Sequence, residues 1–164
     1  MMDQKEMSRV FRDLLRLETL PVAVRFVPRG EELKKKPLPF KLNICQLVSM
    51  ARHQGRTSVG VPASMVCSIG AACTGLIETP PAFRDGTAAM GKYVADAEAG
   101  KTFFENTFKL GDSGAAYDAL MFAPLGEAAG FTPDVVLFYG NPAQIMRLVH
   151  AALYRTGEKV AADT

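Results

Sequence analysis

Residues 133–148 read P-D-V-V-L-F-Y-G-N-P-A-Q-I-M-R-L. The run Val135 to Tyr139 is apolar and mostly β-branched or aromatic, which predicts a strand. Because both of its faces are apolar, the expectation is a central strand, covered on two sides. Gly140-Asn141-Pro142 then turns the chain into a helix, with Asn141 as N-cap and Pro142 at the first helical position. Ile145, Leu148, Val149 and Ala152 give that helix a packing face, and Gly157 ends it. A strand, tight turn and helix in succession exclude an all-helical or an all-strand fold. The turn also offers backbone N–H groups at a strand's carboxyl end, where α/β proteins often bind ligands. Asn141 is therefore both a helix cap and a candidate ligand-binding residue.

The rest of the chain fits a single α/β or α+β domain with a mixed sheet and flanking helices, spanning residues 1–164. Asp3 followed by Glu6 reads as a capping box, and Met7, Val10, Phe11, Leu14 and Leu17 recur at helical spacing, predicting a helix from Asp3 to Glu18. Val22, Val24 and Phe26 alternate with Ala23 and Arg25, a strand with one face buried. Pro28 to Lys41 reads as loop. Asn43 and Gln46 start a second helix, with Ile44, Leu47, Val48 and Ala51 on its apolar face and Gly55 as its stop. Thr57 to Val61 reads as a short strand, Ser68 to Ile77 as a short helix, and Thr79 to Thr87 as loop. A weaker helix is expected over Met90 to Thr107, broken or capped near Gly100, and a glycine-rich turn over Phe108 to Gly114. Asp118 to Ala123 reads as a buried strand halted by Pro124, and Leu125 to Gly130 as a turn of helix.

The charge balance narrows the function. A net charge of +2 and one lysine run, Lys34-Lys35-Lys36 among prolines, point to a solvated loop and give no footprint for nucleic acid. The first 18 residues are charged throughout, unlike a secretory signal, and no apolar run approaches the roughly 20 residues of a membrane helix. A cytoplasmic protein is expected, with a homo-oligomer as the default assembly. No paired-carboxylate, Ser-His-Asp or HExxH arrangement appears, so no catalytic residue is assigned. Gly70-x4-Gly75 has Leu76 and Ile77 where a phosphate loop needs Lys and Ser/Thr, and is rejected as one.

All three cysteines fall within one stretch, spaced Cys45-x21-Cys67-x5-Cys73. The odd count argues against a disulfide framework. Three thiolates with an open or external fourth position suit an iron–sulfur cluster, and three with a histidine suit zinc. The spacing matches neither a ferredoxin nor a zinc ribbon, and the plain alternative is three small buried apolar residues. On a continuous helix Cys67 and Cys73 would lie about 240° apart. They can share a centre only if Cys67 precedes the helix, which Ser68 as N-cap would allow. Gly70 and Gly75 leave space for a bulkier group to approach the backbone. Cys45, in a helix's first turn, is the best candidate for a reactive thiol, but His53 lies about 12 Å farther along that helix and cannot touch it. His150 reads as structural, and Arg25, Arg52 and Arg147 as exposed residues able to bind an acidic ligand. A metal centre served by a redox partner and a binding module for a small anionic ligand are thus the two functional expectations. In the second, the turn at Gly140 to Gln144, with Asn141, and the small-residue segment at Gly70 to Gly75 line a pocket for an anionic metabolite or a surface for a partner subunit.

Five segments together resemble one family: L-R-L-E-T-L-P-V-A-V-R-F (Leu15 to Phe26), C-Q-L-V-x-x-A-R (Cys45 to Arg52), C-S-I-G-A-A-C-T-G-L (Cys67 to Leu76), A-P-L-G (Ala123 to Gly126) and the Pro133 to Leu148 run. They are similar to the domain of unknown function family numbered 169, the uncharacterised archaeal cysteine-rich (ArCR) family. The resemblance implies a cytoplasmic prokaryotic protein with family cysteines at Cys45 and Cys67, and it strengthens the metal reading. It also implies a further cysteine-bearing segment after the last helix, which this chain, ending at Thr164, lacks. A centre here would then be incomplete, finished by a partner, or lost.

Overall fold

The computed structural model describes residues 3–33, 35–108, 116–127 and 130–160. Their core is a four-stranded sheet in the order β2-β3-β1-β4, formed by β1 (Val22–Pro28), β2 (Ser58–Gly60), β3 (Tyr117–Pro124) and β4 (Val135–Leu137). All three pairings are antiparallel. Of the two classes the sequence left open this is α+β, and the sheet is antiparallel where a mixed one was expected. Long β1 and β3 pair along their whole length, from Val22 opposite Pro124 to Pro28 opposite Tyr117.

The two faces of the sheet are covered differently. Val22, Val24, Leu120 and Phe122 project to one side, against Leu47, Val48 and Ala51 of α2 (Ile44–Gln54), Ala71 of α3 (Ser68–Cys73) and Leu76. On the other side the cross-strand pair Ala23 and Ala123 is small enough for Met7 and Phe11 of α1 (Gln4–Leu15) to pack close beside Leu125. Val27, Val59, Ala119 and Met121 continue that side under Leu33, Val61 and Phe131. β3 is buried on both faces from Ala119 onward. At about 25 cal/mol per Å², burying such side chains contributes roughly 1.5–3 kcal/mol each before entropy is counted.

Several boundaries differ from the sequence expectation. β4 is a three-residue edge strand paired only with β1, not a central one. The apolar residues of the Val135 to Tyr139 run serve separate ends: Val136 and Leu137 pack on opposite faces, Phe138 meets Phe11 edge-on at 4.7 Å, and Val135 and Tyr139 stay exposed. The two-sided strand beside it is β1, where Ala23 is as buried as Val22. α1 stops at Leu15 with Arg16 in the left-handed region at φ 52°, and Asp3 caps Glu6 N–H without the reciprocal half of a box. Leu15 and Leu17 are buried, while Leu14 is 69% exposed. α4 (Pro81–Arg84) occupies what reads as loop. α5 (Ala97–Thr107) begins only after its cap Asp96, with Gly100 inside it unbroken. There Gly100 lies flat against the backbone of Gly86, so both glycines are demanded by a close approach. The glycine-rich segment after Phe108 lies outside the described residues except for Phe108 itself. α6 (Pro142–Leu153) has no fully buried residue, so the packing face expected for Ile145, Leu148, Val149 and Ala152 is only partly covered. Among the described residues no helix is long and apolar enough to cross a membrane.

Candidate functional site

The cysteines come to two neighbouring places. Asn43 closes a full capping box with Gln46, and Cys45 sits in the first turn of α2, exposed. Leu42 N–H donates to Ser64 and Val66 N–H donates to Leu42, tying the chain before α2 to the chain before Cys67. Cys67 is itself the N-cap of α3 and precedes the helix, as a shared centre requires; Ser68 is the first helical residue, not the cap. Cys73 is the last residue of α3. A Cβ added to Gly70 would stand 3.5 Å from Ile44 Cδ1 and 3.6 Å from Cys67 Sγ, so the two helix starts touch here.

Cys45 and Cys73 are exposed and Cys67 is half-buried. The plain reading of three buried core residues therefore fails. Partial burial, and then the neighbouring Cys67 thiol, push the Cys73 thiol above its ordinary range, while a backbone hydrogen bond opposes them. Cys67 and Cys73 thus feel each other. Even so, among the described residues no three His, Cys, Asp or Glu side chains converge on a point that could hold a metal ion. The space beside Gly70 is taken by Ile44 and Cys67, and the open side of Gly75 is taken by the Tyr117 ring at 3.3 Å from an added Cβ. Gly75 has φ 68° just past the end of α3, and its carbonyl accepts from Ala116 N–H, so it ties the end of that helix to the start of β3.

The expected turn does border a cavity. Its volume is about 230 Å³, and its lining is Glu18, Arg52, Tyr139, Gly140, Asn141 and Gln144. Neither Gly70 nor Gly75 contributes. Arg52, in the last turn of α2, is half-buried and doubly held. Its Nε–H donates to Thr19 Oγ1 at 2.8 Å, and its guanidinium carbon lies 3.9 Å from the centre of the Tyr139 ring. Such stacking is worth about 0.5–2 kcal/mol, rising with desolvation. Among the described residues no carboxylate comes within the 4.0 Å of an ion pair with Arg52, whereas Arg25 is neutralised by Glu31. Arg147 is exposed.

The start of α6 is closed on itself. Asn141 Oδ1 accepts from Gln144 N–H, and Gln144 Oε1 accepts from Asn141 N–H. Pro142 has no N–H to give. The first turn is thus nearly spent as an anion cradle, and Asn141 offers the cavity its side-chain amide group. Gln144 Nε2 reaches further, donating to the carbonyls of Leu15 at 2.9 Å and Arg16 at 2.8 Å. One side chain thereby fastens α6 to the end of α1. Glu18, Thr19 and Tyr139 are participants that the sequence reading did not single out. Gln144 ends the turn expected to line a pocket, and its place as the third residue after a cap marks it locally.

Three comparisons bear on ancestry. The chain belongs to the uncharacterised ArCR family, domain of unknown function 169, whose model matches residues 10–164. It is 29% identical over 167 aligned positions to an uncharacterized protein of Methanocaldococcus jannaschii, an alignment covering 97% of this chain and 68% of the relative. No solved structure matches it.

Proposed function

We propose that this ArCR-family chain is a non-catalytic binding module that takes a small anionic ligand through Arg52, in the cavity between α1, α2 and the β4–α6 turn. One observation carries the reading: a guanidinium held by Thr19 and Tyr139, lining a cavity and lacking a described carboxylate partner. A cation fixed before its ligand arrives loses little side-chain entropy on binding, and Arg presents a planar fork suited to carboxylates. The cavity equals roughly seven or eight water volumes, since a water occupies about 30 Å³, which suits a metabolite of amino-acid size.

Thermal melts of the whole chain with acetate, lactate, succinate, citrate and inorganic phosphate test it. A ligand at a hundred times its Kd adds about 2.7 kcal/mol, or a rise of roughly 5–10 °C for a chain of this size. Arg52→Gln should abolish the rise. A flat response to every anion, or a rise that survives Arg52→Gln, would sink the proposal.

A second reading is supported by the exposure of Cys45 and Cys73, the partial exposure of Cys67, and the placement of Cys67 and Cys73 at the two ends of α3. Here the cysteine patch takes up a thiophilic centre, an iron–sulfur cluster first and zinc as the alternative, with Cys45, Cys67 and Cys73 as thiolate donors. The described residues do not present a ready three-donor set, so a donor from outside them or a side-chain rearrangement has to complete it. A cytoplasmic setting, where thiols stay reduced, suits this reading. Anaerobic visible absorption with iron, zinc and sulfide analysis, for wild type and Cys67→Ser, decides it. Matching iron and sulfide with a charge-transfer band lost in the variant would support the cluster. Colourless, metal-free protein would end it.

A further inference from the structure

Glu18 and Arg52 line the same cavity yet do not pair within ion-pair distance. Glu18 is exposed at the end of the α1 connection, and no described group neutralises it. Two opposite charges left apart across a small space favour a ligand that carries both signs itself. With Arg52 Nε committed to Thr19, the two terminal nitrogens remain for a carboxylate, which they can grip in bidentate fashion.

The same geometry disfavours phosphate. A phosphate site at a helix start needs several free N–H groups. Here Pro142 has none, and those of Asn141 and Gln144 are used within the cap. The Glu18 carboxylate would also repel a second negative charge in so small a volume.

We infer that the ligand is a zwitterion of the α-amino acid class, its carboxylate on Arg52 and its ammonium facing Glu18. This rests on the reading of the cavity as an Arg52 anion site. The experiment is calorimetric titration of the whole chain with the twenty standard L-amino acids. The tightest binder is then compared with its des-amino acid, its decarboxylated amine and inorganic phosphate. The amino acid should bind at least about tenfold tighter than its des-amino form, the scale of one charge-assisted hydrogen bond. Glu18→Gln should erase that preference, weakening the amino acid while the des-amino acid, relieved of the carboxylate's repulsion, binds at least as tightly as before. Arg52→Gln should abolish binding of both, with circular dichroism confirming that each variant is folded. Equal binding of the amino and des-amino acids, or tighter binding of phosphate, would refute the zwitterion while leaving the anion site standing. No binding by any probe would refute both together.

Discussion

Replacing Gln144 with alanine removes three hydrogen bonds at once: the one accepted from Asn141 N–H and the two donated to Leu15 and Arg16. A protein hydrogen bond is worth a net 0.5–1.5 kcal/mol or so, toward the lower end where water can replace it. The bond to Leu15 is partly buried, and those to Arg16 and Asn141 are exposed. About 1 kcal/mol for the first and about 0.5 for each of the others gives roughly 2 kcal/mol. Alanine returns a few tenths through its better helix propensity. The expected net loss is therefore about 1.5 kcal/mol, or a fall in Tm of about 3–6 °C for a chain of this length. Urea unfolding followed by far-ultraviolet circular dichroism measures it. Gln144→Glu is the informative companion. It keeps the acceptor for Asn141 but turns a carboxylate toward two carbonyls, so it should be no more stable than the alanine variant. A Gln144→Ala loss under about 0.5 kcal/mol, the range of ordinary surface changes, would mean that apolar contacts alone dock α6 and that the polar clamp is idle.

Other variants probe the rest of the fold. Gly100→Ala would gain about 1 kcal/mol in an unobstructed helix, but here the new Cβ meets the Gly86 backbone, so denaturant melts should show a net loss of about 1–3 kcal/mol. Leu15→Ala should cost about 2–4 kcal/mol in the same melts, and Leu14→Lys less than about 0.5, because the two neighbours have opposite exposure. The raised Cys73 thiol has a linkage consequence: folding disfavours its thiolate, so the stability it holds is complete below the unfolded thiol's pKa and declines as pH rises through the folded one. Alkylation of Cys73 against pH should give a midpoint above that of an unfolded thiol, and Cys67→Ser, which removes the like charge, should lower it.

Local chemistry was legible in the chain, and neighbourhood was not. The caps at Asp3, Asn43 and Asn141 fall where their residue types put them, because a cap is made between residues three apart. The buried strand around Leu120 and the turn into α6 were readable for the same reason. What failed depended on who lies beside whom. The Val135 to Tyr139 run is apolar on both sides whether it is central or at an edge, and only its single partner β1 distinguishes the two. Leu14 and Leu15 are identical letters, yet one is exposed and the other buried on the helix whose Met7 and Phe11 pack beside Ala23 and Ala123. Asp96 caps α5 several residues after Met90, where apolar spacing alone begins the helix. The cavity joins Glu18, Arg52 and the Tyr139 to Gln144 turn, which lie far apart in sequence and share no motif. The cysteines were found by their clustering, but their exposure follows from the packing of α2 and α3, which no spacing rule contains.

The bridge from Gln144 to the end of α1 makes α6 the part of the molecule whose local opening free energy a ligand can set. With no fully buried side chain, α6 should open far more readily than β3, and its amides should exchange with solvent early. Gln144 both lines the cavity and holds the helix, so any compound that binds only the docked arrangement must slow that exchange. By reciprocity, whatever undocks α6 must weaken binding by the same factor. Slowed amide exchange confined to residues 143–153 would then report occupancy of the cavity.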